Sequence, residues 1–524
     1  MAKYEIEEIL TMAKVGFWNY KMIALLVPID FIAIAFYMIT PFMLAPINYS
    51  CNELEKGKVK YSNDHCYYSV NGSEWKTCSE FTFSSTSEFD NSYVSEFSLV
   101  CNNKPLKSLY LGCISAGLAI ANLFGAFLMD RFGRKTFLVS NTIIMFCCYA
   151  YYRFIPTVRF LWLITLFDSF ASVGVFTASS VLLTECLPQK LRAAGNCLAE
   201  GMNGLGIVAA AVIMYFARNW QSYQTFRCLV PSIILVFSTI LFVDESPRWL
   251  YKNGKHQEFG STVKRMFFQN LVELPEDLKD QLHSTTDNAE SSISNPESGK
   301  FWLLFRTWRT ARNFIVIVFL WSFCISVYLG LIIGPGLFDL GSYSYYIFNG
   351  VVEVPGSAIA VLASNFLGRR CASFVSVLVC SFSLIMTVFL TNYPIIKLFF
   401  ATCGKMFVTS AFIINYFWVG ELMPTSMRGT GLGITYGIGG LISIATPEVI
   451  ELLEIISIHL PIYFLSAFGL VVAVSSLVLP ETLETIIPDD IECYEKLALK
   501  NNLGEQYQHK SLIENFYKNY GMKS

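Results

Sequence analysis

The sequence predicts an all-α membrane protein with twelve transmembrane helices arranged as two six-helix halves. Three observations support this prediction: a low fraction of charged residues, apolar runs long enough to cross a bilayer, and an internal repeat. Of the 524 residues, 54% are hydrophobic and only 15% are charged, whereas soluble domains are about 25% charged. The net charge is −2 and the sequence has no basic patch, which excludes soluble enzymes, disordered chains and nucleic-acid-binding proteins.

Twelve apolar runs have the length of a membrane-spanning helix. A hydrocarbon core about 30 Å thick requires roughly 20 apolar residues in helical conformation. The predicted spans are 22–46, 108–129, 136–155, 158–184, 196–217, 226–244, 313–333, 343–364, 371–391, 394–418, 430–450 and 459–479. The charged segment 1–21 precedes a run that is too long for the core of a signal peptide, so we expect no cleavage.

The distribution of Lys and Arg over the connections predicts the orientation of these spans. The basic connections are 130–135, 185–195, 365–370 and 421–430, and the short connections on the opposite side nearly lack Lys and Arg. Cytoplasmic loops carry an excess of basic residues. We therefore expect the N-terminal segment 1–21, the linker 245–312 and the tail 481–524 in the cytoplasm, and the segment 47–107 outside the cell.

The predicted outer segment 47–107 has the features of an extracellular loop. Its four cysteines are Cys51, Cys66, Cys78 and Cys101. An even number of cysteines in an oxidising compartment predicts two disulfides, for which three connectivities are possible. Glycosylation sequons begin at Asn48 and Asn71. Asn71 is the better candidate because Asn48 is closer to the first span.

An internal repeat divides the chain into two halves. Three landmarks recur at an offset of 235 or 236 residues: the basic turns at Gly133 and Gly368, the motifs Glu-x-x-Pro-x-x-x-Arg-x-x-Gly at Glu185 and Glu421, and the acids Glu245 and Glu481. The first half, which consists of the first span and of spans 2–6 at 108–244, therefore corresponds to the second half, spans 7–12 at 313–480. A parallel repeat of this kind is typical of carriers whose substrate site lies between the halves near the middle of the membrane.

Several motifs resemble known transporters. The segment DRFGRK at 130–135 resembles the loop motif of the major facilitator superfamily. The segments similar to the organic cation/anion transporters, solute carrier family 22, are ESPRWL at 245–250, VVEVPG at 351–356, GELMPT at 420–425 with Arg428, and LPET at 479–482. The resemblance covers essentially the whole chain. It implies the major facilitator fold and the movement of organic cations, anions or zwitterions across the plasma membrane by alternating access.

The sequence departs from this family at positions that usually carry charge. The anion-transporting branch has a basic residue in the eighth span and an Arg in the eleventh, where this chain has Ser357 and Gly440. The cation-transporting branch has an Asp at the position of Gly440. The charge of the substrate therefore has to be inferred from other residues.

Ionisable residues inside the spans are the first candidates for substrate binding or coupling. Exposure of a charged group to hydrocarbon costs several kcal/mol, so each such residue needs a cavity or a partner. The residues are Asp30, Asp168, Glu200, Glu353 and Lys405. Four acids against one base favour a cationic or zwitterionic substrate, with Lys405 expected as the counter-ion of one acid. Glu200, close to the cytoplasmic loop, is better explained by a salt bridge there.

Two aromatic residues complete the candidate site. Trp321 and Tyr328 are seven residues apart in the seventh span and share a helix face. Tyr328 matches a tyrosine often seen in the family's cation carriers, and stacking of an amine on such a ring contributes about 0.5–2 kcal/mol. The candidate site thus comprises Asp30, Asp168, Trp321, Tyr328, Glu353 and Lys405. For each residue the alternative is a structural hydrogen bond or ordinary core packing.

Charged residues at the cytoplasmic helix ends predict a gating network. Its members are Asp130, Arg131, Arg134, Glu185, Arg192, Glu421 and Arg428. Ion pairs made in one conformation and broken in the other would bias the equilibrium between them by a few kcal/mol. The alternative is that these charges only fix the topology.

Together these features predict a secondary or facilitative plasma-membrane transporter of small organic ions, with cations or zwitterions favoured. The alternatives are transport of organic anions or neutral, sugar-like solutes, or a receptor that transports nothing. The sequence has no phosphate-binding loop and no metal-spaced His/Cys cluster, so we expect no enzymatic activity, metal or cofactor. The expected partners are the substrate and the lipid bilayer. Protons or a counter-substrate are compatible with the sequence, nucleic acid is not expected, and the oligomeric state stays open.

Overall fold

The computed structural model describes residues 6–37, 40–44, 47–52, 59–62, 66–70, 74–85, 90–155, 157–224, 229–279, 305, 307–333, 342–423 and 428–483. Asn71 and most of the tail 481–524 lie outside these residues. For four candidate residues the structure describes the backbone but not the side chain: Asp30, Arg192, Glu200 and Arg428.

A helix occupies each of the twelve predicted spans. These helices are α1 (Phe17–Tyr37), α2 (Pro105–Phe132), α3 (Arg134–Tyr151), α4 (Val158–Cys186), α5 (Gln189–Ala217), α6 (Val230–Phe242), α7 (Trp308–Ile333), α8 (Ser342–Leu367), α9 (Arg369–Phe389), α10 (Pro394–Leu422), α11 (Arg428–Ile444) and α12 (Leu460–Ser476). In the described part of the chain, six segments are both long and apolar enough to cross a membrane: Cys101–Phe132, Val158–Cys186, Trp308–Leu331, Tyr343–Leu367, Arg369–Phe389 and Pro394–Leu422.

Some helices extend beyond the apolar runs or break within them. α1 begins at Phe17, before the predicted start at 22, because the side chain of Asn270 accepts a hydrogen bond of 2.9 Å from the Trp18 amide in the first turn. The predicted eleventh span contains α11 and a second helix, Thr446–Ile456. Pro447 near the start of that helix lacks an amide donor and interrupts the hydrogen-bond pattern.

The two halves meet at two related helix contacts. α5 packs on α8, and α2 packs on α11. Because the repeat relates α2 to α8 and α5 to α11, one contact is the counterpart of the other. Within the halves, α4 packs on α1, α2 and α3, whereas α10 packs on α7, α8 and α9. The core of the molecule therefore lies along α4 and α10.

The segment after α1 forms two small sheets braced by disulfides. Its strands are β1 (Asn48–Cys51), β2 (Val59–Tyr61), β3 (Tyr67–Val70), β4 (Lys76–Thr77) and β5 (Phe81–Ser84). β1 pairs with β5, and β3 pairs with β2 and β4, all antiparallel. Of the three possible connectivities, the structure has Cys51–Cys78 and Cys66–Cys101. The sequon residue Asn48 is exposed on β1. We call this end of the bundle the disulfide end.

The opposite end, which we call the linker end, is covered by short helices. Ile6–Met12, Pro247–Lys252 and His256–Gln269 lie there. Asp244, just after α6, joins the start of α1 to the last of these helices. Its carboxylate accepts hydrogen bonds from Trp18 Nε1 at 2.9 Å and Lys21 Nζ at 2.8 Å, and from Arg265 at 2.6 Å. The start of α1 and the linker are thus fastened to the first half.

Candidate functional site

The candidate site is centred on Glu353 of α8. Its Oε1 lies 2.8 Å from Lys405 Nζ of α10 and accepts a hydrogen bond of 2.9 Å from the Tyr328 hydroxyl of α7. The side chains of Glu353 and Lys405 are only 6% and 2% exposed. The structure therefore pairs the one base of the predicted set with one of its acids.

The ammonium group of Lys405 also contacts an aromatic face. Its Nζ lies 3.1 Å from the centre of the Tyr328 ring. A cation over an aromatic ring is attracted by the electron-rich face, most strongly when water is excluded. The carboxylate of Glu353 and the ring of Tyr328 thus both contact the buried ammonium group of Lys405. Loss of one partner of such a buried pair typically costs about 3–5 kcal/mol because the remaining charge stays in the interior.

Glu353 lies where the two halves touch. A Cβ atom at Gly204 of α5 would lie 2.6 Å from the Gly350 carbonyl oxygen and 2.8 Å from Glu353 Cβ. Only glycine permits this approach, so α5 of the first half covers the base of the Glu353 side chain. The site belongs to the second half but borders the first, near the middle of both helices.

The repeat explains why Gly440 carries no side chain. Gly440 is the counterpart of Gly204 at the offset of 236 residues, and Leu118 is the counterpart of Glu353 at 235. A Cβ at Gly440 would lie 2.7 Å from Leu118 Cδ2 and 3.3 Å from Ala119 Cα. The contact between α2 and α11 therefore leaves no room for a charged side chain, and the related contact between α5 and α8 carries the carboxylate.

Ser357 is the other position at which the family's charge is missing. It lies one turn beyond Glu353 on α8 and is buried. Its hydroxyl donates a hydrogen bond of 2.8 Å to the Val354 carbonyl of its own helix. Ser357 therefore adds no charge to the site.

Trp321 belongs to an aromatic cluster on the same face of α7 as Tyr328. Its ring centre lies 4.1 Å from that of Tyr436 and 4.7 Å from that of Phe412. Tyr436 also stacks on Tyr416 at 5.8 Å. The cluster joins α7, α10 and α11 beside the charged pair. Two of its polar atoms, Trp321 Nε1 and the Tyr436 hydroxyl, are buried without a hydrogen bond to any described residue.

Asp168 is separate from this site. It lies on α4 and is completely buried within the first half. Its neighbours include Tyr152 and Ser172, with no described contact to Glu353. The structure thus brings together Tyr328, Glu353 and Lys405, places Trp321 close by, and puts Asp168 elsewhere.

Aromatic rings close the disulfide end between the halves. Phe42, just after α1, lies 5.6 Å from Tyr343 and 4.5 Å from Tyr346 of α8. Tyr215 of α5 packs edge-on against Tyr343 at 5.4 Å. These centroid distances describe direct packing of the first half on the second. The site is therefore covered on this side.

At the linker end, the charged residues of the first half form one compact set. Arg134 donates to both carboxylate oxygens of Glu185, with a shortest distance of 3.0 Å, and pairs with Asp130 at 2.9 Å. Glu245 accepts hydrogen bonds of 3.1 Å from the amides of Arg134 and Lys135 at the start of α3. Carboxylates at helix N-termini are stabilised by the unpaired amides and the helix dipole.

The second half repeats this arrangement. Arg369 pairs with Glu421 at 2.9 Å, and Glu481 accepts hydrogen bonds of 2.8 and 3.0 Å from the amides of Arg369 and Arg370. In the described part of the chain, each set stays within its own half. The roles of Glu245 and Glu481 were missed in the sequence, although their recurrence at one offset was the available signal.

Two further details concern the predicted network. The Arg131 guanidinium lies 5.5 Å from the Phe132 ring and joins no ion pair among the described side chains. Gly133 has a φ of 103° and Gly368 a φ of 82°, a conformation that favours glycine. A Cβ at Gly368 would lie 2.6 Å from a Glu481 carboxylate oxygen. The one-residue turns at Gly133 and Gly368 therefore let the carboxylates of Glu245 and Glu481 reach the first amides of α3 and α9.

Comparisons with known proteins agree with these features. The model of the Major Facilitator Superfamily matches residues 18–447. "Solute carrier family 22 member 1" of Bos taurus is 27% identical over 411 residues, which cover 78% of this chain and 72% of the relative. "Organic cation transporter protein" of Drosophila melanogaster is 26% identical over 464 residues, covering 87% and 83%.

The fold is shared with solved structures of xylose transporters. The proton:xylose symporter XylE bound to 6-bromo-6-deoxy-D-glucose has a TM-score of 0.59 and 14% identity over 93% of this chain and 98% of that chain. The inward-open conformation of XylE from E. coli also gives 0.59, over 94% and 100%. At this identity the similarity establishes the fold alone, and the predicted all-α membrane fold is confirmed. The relatives also confirm a transporter rather than an enzyme. The chain belongs to the Major Facilitator Superfamily, and its predicted membership of solute carrier family 22 is confirmed.

Proposed function

We propose that this transporter moves small organic ions that carry an ammonium group, either as cations or as zwitterions. The supporting observation is the buried contact of one ammonium group with Glu353 and the ring of Tyr328 at the border between the halves. Lys405 supplies that ammonium group from the protein itself. A substrate ammonium would find the same two partners when Lys405 moves away. The names of the relatives, which include "Organic cation transporter 1" of Caenorhabditis elegans, agree with this substrate class.

The internal pair also suggests how binding is made selective. A simple cation has to displace Lys405, because both ammonium groups would use the same carboxylate. A zwitterion can separate the pair instead, with its ammonium on Glu353 and its carboxylate on Lys405. An anion or neutral solute would leave Glu353 unsatisfied once the pair is broken, which is costly in a buried site. The pair therefore favours zwitterions in particular, and anions least.

We place the linker end in the cytoplasm and the disulfide end outside the cell, in the plasma membrane. The basic loops lie at the linker end, and disulfides form in oxidising compartments. In this orientation Phe42, Tyr343 and Tyr346 close the outer side. The structure then corresponds to a state that is closed toward the outside of the cell. Movement of the halves would open the outer side and close the inner one.

The decisive experiment is uptake of matched probes by cells that express the chain, with the membrane potential clamped. The probes are choline as cation, glycine betaine as zwitterion and isovalerate as anion. We expect saturable uptake of choline or glycine betaine above that of non-expressing cells, and none of isovalerate. Uptake of isovalerate alone, or of no probe despite normal surface expression, would contradict the proposal.

We also propose that the two charged sets at the linker end govern the rate of conformational change. Arg134→Ala removes the bidentate contact with Glu185 but lies far along the bundle from Glu353. We expect Vmax of uptake to fall about tenfold, with less than a twofold change in KM. Lys135→Ala is the matched control, because it keeps the backbone hydrogen bonds to Glu245. Equal Vmax for the two variants at equal surface expression would refute this role.

A further inference from the structure

Asp168 is a buried acid that takes no part in the site around Glu353. It lies in the middle of α4 and has no exposed surface. Tyr152 and Ser172 are within reach, yet neither carboxyl oxygen accepts a hydrogen bond of regular geometry from any described residue. A buried ionised carboxylate is normally paired or fully hydrogen-bonded. In the described structure Asp168 has no ion-pair partner, and the hydroxyl groups of Tyr152 and Ser172 compensate its charge only in part.

The groups that face Asp168 from the neighbouring helices are neutral at physiological pH. They are Tyr110 of α2, Cys148 of α3, Tyr152 just after α3, and Tyr93 of the disulfide-end segment, with Thr165 and Ser172 of α4 itself. α1 also packs on α4 and carries Asp30, which adds no positive charge. No described Lys or Arg side chain forms an ion pair with Asp168. An ionised Asp168 would therefore be an isolated negative charge in a non-aqueous interior, whereas the protonated acid suits a set of hydroxyl groups.

We propose that Asp168 is a proton-binding site that holds a proton in the present conformation and releases it in the opposite one, so that transport is coupled to proton movement. The inference rests on the transport function proposed above, but it concerns a different site. One proton binds to the Asp168 carboxylate from one side of the membrane and leaves to the other side in each cycle. No other reactant is required.

A series of polar side chains connects Asp168 with the disulfide end. The Tyr152 hydroxyl lies 3.4 Å from Thr165 Oγ1, and Thr165 lies beside the Tyr110 hydroxyl. The ring centres of Tyr110 and Tyr93 are 5.5 Å apart. Hydroxyl groups can both donate and accept, which is what proton transfer along a chain requires.

The series ends at groups that reach solvent. Gln224 lies beside the Tyr93 hydroxyl, and Tyr93 packs on Trp220 at 4.7 Å. Trp220 Nε1 donates a hydrogen bond of 2.8 Å to Glu96, which also accepts one of 3.2 Å from the exposed amide group of Gln221. The hydroxyl groups from Tyr152 to Tyr93 therefore lead from Asp168 toward the disulfide end, where Glu96 is an exposed acid.

The same helices link Asp168 to the movement of the halves. Tyr110 of α2 lies close enough to Asp168 for the two groups to interact electrostatically, and α2 crosses α11 of the other half. α2 and α4 approach closely at Gly117, where a Cβ would lie 2.6 Å from the Leu166 carbonyl oxygen and 2.7 Å from Ser169 Cβ. A shift of α2 during the transport cycle therefore changes the surroundings of Asp168. Such a two-state element is what coupling between two sites needs.

The test uses the purified full-length chain in proteoliposomes and the isosteric variant Asp168→Asn. Two readouts are compared: counterflow of choline or glycine betaine at equal pH on both sides, and uptake driven by an imposed pH gradient, with proton flux followed by an internal pH dye. We expect the wild type to show both. Asp168→Asn should keep at least a third of the counterflow but lose at least nine-tenths of the gradient-driven uptake and of the proton flux. Asp90→Asn, an exposed substitution of the same kind, should behave as the wild type.

The outcomes separate this inference from the proposed function. Counterflow without any gradient-driven uptake in the wild type, or full gradient-driven uptake in Asp168→Asn, would overturn the proton site and leave the transporter proposal intact. Absence of counterflow in the wild type would refute the proposed substrates. If Asp168→Asn does not fold, Tyr152→Phe removes one hydroxyl beside the acid. It should move the pH midpoint of uptake upward by roughly half a unit to one unit, and an unchanged midpoint would overturn the proposal.

Discussion

Glu353→Gln is expected to lower uptake of an organic cation by about 30-fold or more. The substitution keeps the size of the side chain and an acceptor for the Tyr328 hydroxyl, but removes the negative charge. A hydrogen bond to a charged group makes a net contribution of about 1.5–3 kcal/mol, and about 1.4 kcal/mol corresponds to a tenfold change in affinity. The initial rate of choline uptake at equal surface expression measures the effect.

Two further variants make this result interpretable. Glu448→Gln is the matched control, because Glu448 is an exposed acid of the same half outside the site. The double variant with Glu353→Gln and Lys405→Met removes both charges, so no unpaired ammonium group stays buried. It should regain any stability lost in the single variant without regaining choline uptake. Wild-type choline uptake in the Glu353→Gln variant would refute the role of this carboxylate.

The sequence could predict the scaffold because its signals are periodic. Apolar runs and basic loops are read locally, so all twelve spans contain a helix of the structure. The repeat offset also relates Gly204 to Gly440. What these glycines do depends on which helices cross there, and only the structure shows that α5 covers Glu353 at Gly204. Small residues carry no chemical signal of their own, and their role depends on what approaches them.

Pairings between distant residues could not be read in the same way. Charge counting identified Glu353 and Lys405 as candidates, but their contact depends on the packing of α8 against α10. The disulfides depend on strand order, since β1 and β5 bring Cys51 close to Cys78. The sequence makes Asp168 a candidate for substrate binding or coupling because it is an acid inside a span. Its real surroundings include Tyr93, which comes from the segment after α1.

The second large effect is expected from Lys405→Met, and its sign depends on the substrate. Methionine keeps the length and the apolar stem of the side chain but lacks the ammonium group. For choline, Glu353 becomes free, so we expect KM to fall about tenfold. For glycine betaine, the substrate carboxylate loses its partner, so we expect KM to rise about tenfold. The ratio of the two KM values should therefore change by about 100-fold, which corresponds to about 2.7 kcal/mol.

This reversal distinguishes a binding role of Lys405 from a purely structural one. A structural lysine would alter surface expression and Vmax for both probes in the same direction and leave the ratio of KM values unchanged. Lys397→Met, on the same helix but near the disulfide end, controls for the loss of any buried lysine from α10. Choline and glycine betaine share their trimethylammonium group, so their difference reports only on the group that meets Lys405. An unchanged ratio would mean that Lys405 stays on Glu353 throughout the cycle, and the substrate ammonium would then need another counter-charge.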